Sequence, residues 1–185
     1  MIDLSSRLED LRTMIQSPEF LEGRGLSNEV NIRMFCYPPE DEPAIRHFTE
    51  NLMADDELAC HIVRFNLYHV LLGICDDMRI NGKIPEQEKS KGSRFILSQL
   101  QRIANSTVIA GKMRYEPHNK GDVVIIDGVG EAFPFIRVHS LLDAIQPDFA
   151  DLPVLVMYPG IFDGHYVTLF GKLKPNPYYR AFNII

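Results

Sequence analysis

The 185-residue chain has no tryptophan, and its three cysteines, Cys36, Cys60 and Cys75, form no CxxC pair. An odd number of dispersed thiols, each in an apolar segment, argues against a disulfide frame or a zinc site and fits reduced, buried side chains. No apolar run approaches the roughly 18 residues of a membrane span. The chain does not open on a basic stretch followed by an apolar core. MIDLSSRLEDL reads instead as an acidic amphipathic helix, so no secretory signal is expected and the cytoplasm is the expected compartment. Positive charge is scarce: 25 acidic against 19 basic residues give a formal net charge of -6, which argues against direct nucleic-acid binding. Lys83, Lys89, Lys91 and Arg94 do cluster, but Glu86 and Glu88 interleave with them, and the stretch reads as a solvated face.

Several catalytic signatures are missing as well. No segment fits GxxxxGK followed by Ser or Thr, so the backbone cradle and lysine that hold nucleotide phosphates are absent. Gly128-Val129-Gly130 begins a GxGxxG match, but Phe133 stands where close helix packing requires the third glycine. There is no GxSxG elbow, and Ser140 directly follows His139; neighbouring helical residues point about 100 degrees apart and cannot share a proton. Neither a cofactor nor a metal is expected, and the chain is expected not to be an enzyme.

What is present is the material of one globular domain, residues 1–185, with 45% apolar residues and enough length to bury roughly 70% of its unfolded surface. Its centre is Asp122 to Ile145, DVVIIDGVGEAFPFIRVHSLLDAI. Val123 to Ile126 is apolar on both faces, as a central strand of a parallel sheet must be when helices cover both sides. Gly128 and Gly130 allow a tight turn, Pro134 suits the first turn of a helix, and Phe135, Val138, Leu141, Leu142 and Ile145 recur at helical spacing. In open α/β sheets ligands gather beyond the carboxyl ends of the strands. That rule puts Asp127, Arg137 and His139 on the functional edge; the alternative reading of Arg137 is a structural salt bridge to Asp127 or Glu131.

Leu4, Leu8, Leu11 and Ile15 form a helical stripe, with Ser6 and Glu9 at capping-box spacing, and Ser17-Pro18 ends that helix. Gly23-Arg24-Gly25 leads into a strand at Val30 to Tyr37, closed by Pro38-Pro39. A helix follows with acids around Pro43 and an apolar face of Ile45, Phe48 and Leu52. Cys60 to Phe65 reads as a strand, Leu67 to Met78 as a helix, Arg79 to Ser90 as a polar connection and Phe95 to Ile103 as a helix. Pro153 to Tyr158 is another strand, also ending in Tyr-Pro. Tyr166 to Phe170 and Tyr178 to Ile185, joined through Pro175-Asn176-Pro177, read as a terminal hairpin. The expected fold is thus a single α/β domain, with a mostly parallel central sheet flanked by helices and a C-terminal antiparallel hairpin. Asp163 lies in a glycine-bounded loop at a strand end, and Arg180 sits beside Tyr178 and Tyr179.

Four segments in order carry a family resemblance: SPEFLEGRGLSNEVNIRMFCYPPEDEPAIR, the central unit, LPVLVMYPGIFDGHYVTLFGKL and the final YYRAFNII. Together they resemble the BrxB family of the BREX bacteriophage-exclusion systems, with the GVG...PFIR.H and YPG...G...LFG runs the sharpest parts. The resemblance implies a non-enzymatic component of an antiviral complex, an adaptor or regulator that binds other BREX proteins, most directly PglZ. An alternative is a degenerate nucleotide- or anion-binding domain. No catalytic residue carries over. The candidate ligand or partner edge is Tyr37, Asp127, Gly128, Gly130, Arg137, His139, Tyr158, Asp163 and Arg180.

Overall fold

The structure is a computed structural model that describes residues 3–23, 31–177 and 182–183. Arg24-Gly25 of the expected lead-in, Val30 of the expected first strand, most of the last extended stretch and Arg180 lie outside those residues. Helices α1 (Leu4–Met14) and α2 (Pro18–Leu21) precede strand β1 (Ile32–Tyr37), α3 (Glu42–Ala54) and β2 (His61–Asn66). Four helices follow: α4 (Leu67–Asp77), α5 (Ile84–Lys91), α6 (Ser93–Ile103) and α7 (Ser106–Met113). Strand β3 (Asp122–Asp127) leads through α8 (Val129–Ala132) and α9 (Val138–Ile145) to β4 (Val154–Phe162), β5 (Tyr166–Leu169), β6 (Asn176–Pro177) and β7 (Phe182–Asn183).

The parallel order is β2-β3-β4-β1, with β7 parallel to β1 at one edge. Every residue of β3 is buried, which explains its run of β-branched side chains. Alternation divides those side chains between two cores. Val124 and Ile126 join Met34, Val156 and the residues of α4, α6, α7 and α9 on one face. Val123 and Ile125 join Phe35, Leu155, Met157 and residues of α1, α2 and α3 on the other. Full burial of each such side chain contributes about 1.5–3 kcal/mol, so the sheet is held from both sides.

Several expectations change in detail. Helix α1 begins at Leu4 after Asp3, without a side-chain cap, so Ser6 and Glu9 fall inside the helix; the serine that does cap is Ser17, accepting from the Phe20 N–H at 3.2 Å to start α2. The polar connection after α4 contains α5, and α7 fills a stretch to which the apolar pattern assigned nothing. Pro134 does not begin a helix. It follows a cis peptide between α8 and α9, and its carbonyl accepts from Gln101 Nε2 at 2.9 Å. Nor does β4 stop at Tyr158: it continues through Pro159 and Gly160 to pair antiparallel with β5. Only glycine fits at 160, where a Cβ would lie 2.4 Å from the Thr168 carbonyl oxygen. Strand β5 also pairs antiparallel with β6, while Phe182–Asn183 lies across the sheet beside β1.

Candidate functional site

The carboxyl ends of β1 to β4 carry most of the expected edge, but the sheet divides it in two. Cys36 is paired with Tyr158 and Tyr37 with Pro159, a one-residue offset that sends the two tyrosines to opposite faces. Tyr37 lies with Phe35 and Met157, and Tyr158 with Cys36 and Val156. Asp127 shares the face of Tyr37, whereas Arg137, His139 and Tyr158 line a cleft on the other side.

On the first face the organising contact is between Asp127 and Arg64. Arg64 Nε and Nη2 both donate to Asp127 Oδ2, at 2.8 and 2.7 Å, with side-chain exposures of 16% and 5%. Burial pushes the Asp127 carboxyl above its ordinary range, and Arg64 with Asn66 opposes that shift. Arg64 was not singled out from the sequence. The expected Arg137 pairs are corrected: Arg64 binds Asp127, and Arg46 binds Glu131. Tyr37 donates its hydroxyl to Glu42 Oε2 at 2.6 Å, so Glu42 does more than favour the α3 dipole. Burial and this bond raise the tyrosine far out of its titrating range.

Between the faces stands the glycine turn. Gly128 has φ +68, and a Cβ there would come within 2.6 Å of Asn66 Nδ2. Asn66 in turn accepts from the His69 N–H at 3.0 Å and caps α4. Gly130 lets Phe170 and Pro159 approach; a Cβ would meet them at 3.0 and 3.2 Å.

On the second face a cleft of about 460 Å³ opens among α8, α9, Tyr158 and the residues after β5. Val129, Phe133, Ile136, Leu169 and Leu173 form its apolar lining, and Arg137 and Lys174 are its cations. None of the lining residues is a carboxylate. Arg137 also borders a neighbouring hollow of about 390 Å³ with Gln101 and Asn105. Burial holds His139 below its ordinary pKa, with Asp143 opposing, and its buried Nε2 has no hydrogen-bond partner among the described residues. Lys174 could not be singled out beforehand, because nothing in its polar, proline-rich context distinguishes it from a solvated lysine.

Asp163 stands apart. Its Oδ1 accepts from the backbone N–H groups of His165 and Tyr166 at 2.9 and 2.7 Å, a turn contact that holds the exposed carboxyl below its usual range. No hydrogen bond joins Asp127, His139 and Asp163; Asp127 is committed to Arg64 and Asp163 to its own loop. Among the described residues no group of three or more His, Cys, Asp or Glu side chains is placed to hold a metal ion, and no helix is long and apolar enough to cross a membrane.

These features define a small α/β protein whose strand-end crevice presents an apolar, cationic cleft on one face and a closed ion pair on the other. Residues 63–184 match the family model described as BREX protein BrxB. A curated BREX protein BrxB from Bacillus cereus (strain H3081.97) is 33% identical, covering 98% of this chain and 97% of its own length. Another from Escherichia coli O9:H4 (strain HS) is 28% identical over 100% of this chain and 94% of its own. No solved structure matches. The chain belongs to the BrxB family and is a component of the BREX phage-defence system.

Proposed function

We propose that this protein is a non-enzymatic adaptor or regulator that binds other BREX proteins, PglZ first among them, through the cleft beside α9. The observation that carries this reading is the lining: Arg137 and Lys174 over an apolar floor, with no carboxylate beside them. Such a surface suits an acidic, partly apolar contact, since charge steers the encounter and apolar burial retains it. The side chains that acid–base or nucleophilic chemistry would need support it too: Asp127 binds Arg64, Asp163 binds its own loop, and Ser140 directly follows His139 on α9, where neighbouring side chains diverge.

The test is co-expression of the tagged chain with PglZ. The wild type is expected to co-purify, and the Arg137→Glu, Lys174→Glu double variant is expected to weaken the complex about tenfold or more, roughly 1.4 kcal/mol, with unchanged melting. Failure to bind any BREX protein would refute the reading. A second reading, an anion- or nucleotide-binding regulatory domain, draws on the unpartnered His139 Nε2 in the same cleft. Thermal shift with ATP, GTP and cyclic nucleotides addresses it: absence of stabilisation at millimolar concentration removes it.

A further inference from the structure

Strand β2 is a sheet edge with no covering strand among the described residues, since its one neighbour is β3. Its pairing is continuous from His61 with Asp122 to Asn66 with Asp127, so no bulge twists the edge away. It contains neither proline nor lysine, the residues that commonly blunt an edge. The other edge differs: there Phe182–Asn183 runs beside Arg33 and Met34. The hydrogen bond from His61 N–H to the Gly121 carbonyl, 2.9 Å, fixes which backbone groups face inward. In a parallel ladder His61, Val63 and Phe65 therefore bond β3, and the N–H and C=O groups of Ile62 and Arg64 point away from it.

Along this edge runs a groove of about 340 Å³ lined by Met53, Phe65, Val70, Arg64, His69 and Lys112 among others, again with no carboxylate. Met53 is 53% exposed at its rim. Lys112 pairs with Asp77 at the surface, a contact exposed enough to exchange for another acid. A second copy of β2 is a poor occupant, because HIVRFN carries no acid to match Lys112 in the groove.

We propose that the open edge of β2 receives an extended, acidic segment of another BREX protein, which joins the sheet as an added strand. The main chain supplies the bonds, the groove takes an alternate apolar side chain, and His69 and Lys112 select for carboxylates. This rests on the adaptor reading and adds a surface separate from the α9 cleft.

The experiment is residue-resolved amide exchange of the full chain, alone and in complex with each co-expressed BREX protein that it binds. Ile62 and Arg64 are expected to exchange rapidly in the free chain and at least about tenfold more slowly in the complex. The Met53→Glu, Lys112→Glu double variant is expected to melt as the wild type does and to weaken the complex about tenfold or more. A complex that leaves both amides exchanging as in the free chain, or that tolerates the double variant, overturns the strand addition while sparing the adaptor reading. Self-association that protects the same amides overturns it in favour of a dimer. Absence of any complex removes both.

Discussion

Replacing Arg64 by methionine tests whether the Asp127 pair is a structural requirement. The substitution keeps a similar apolar stem but strands a carboxylate whose side chain is only 5% exposed. Removing one partner of a buried pair costs about 3–5 kcal/mol, against about 0–1 kcal/mol for a surface pair such as Lys112 with Asp77. For a domain of this size that corresponds to a fall in melting temperature of roughly 6–20 °C. The pH dependence fixes the cause. Asp127 already has a raised carboxyl in the folded protein, and losing Arg64 raises it further. The folded state then holds a proton that the unfolded chain, titrating at about 4, releases. Stability of Arg64→Met is therefore greatest below the unfolded value and declines as pH rises through the folded one. Urea denaturation at pH 5 and pH 7.5 is expected to show a smaller deficit at pH 5, and Arg64→Met with Asp127→Asn is expected to recover most of it. A loss under about 1 kcal/mol at pH 7.5, or a deficit that grows on acidification, would refute the argument.

Asp122 has the opposite sign: burial pushes its carboxyl up, but the Asn119 N–H, His61 and Tyr115 outweigh that and leave it below its ordinary range. Its contribution is present above the unfolded value and lost as pH falls through the folded one, so Asp122→Asn is expected to flatten the acid limb of a stability–pH curve. Gly128→Ala is expected to cost about 1–2 kcal/mol for its left-handed backbone and more for the contact with Asn66. Gly164→Ala, with φ +99 and nothing within 4 Å, is the comparison, and equal losses in chemical denaturation would dismiss the Asn66 contribution. In timed thiol labelling at pH 8, buried Cys36, whose thiol burial pushes up to about 12, is expected to react well after the half-buried Cys60. Equal rates would contradict the burial.

The sheet was legible because its strands are written in a local code. Val123 to Ile126 can be covered on both faces only at the centre of a parallel sheet, and β3 lies there. The helices of the 79–121 region were harder, since α5 buries no residue and α7 spreads its apolar side chains without a clear stripe. The site was legible by edge but not by face. Tyr37 and Tyr158 both precede a proline, yet only the β1–β4 register determines that they point apart, and register is a property of two distant segments. Arg64 illustrates the same limit. A lone arginine within an apolar strand was a usable signal, but its partner lies 63 residues away and is identified only by strand pairing.

The double duty of Asn66 has a corollary. One side chain both starts α4 and occupies the space over Gly128, so a single replacement of Asn66 uncaps that helix and empties the ground beside the glycine turn at once.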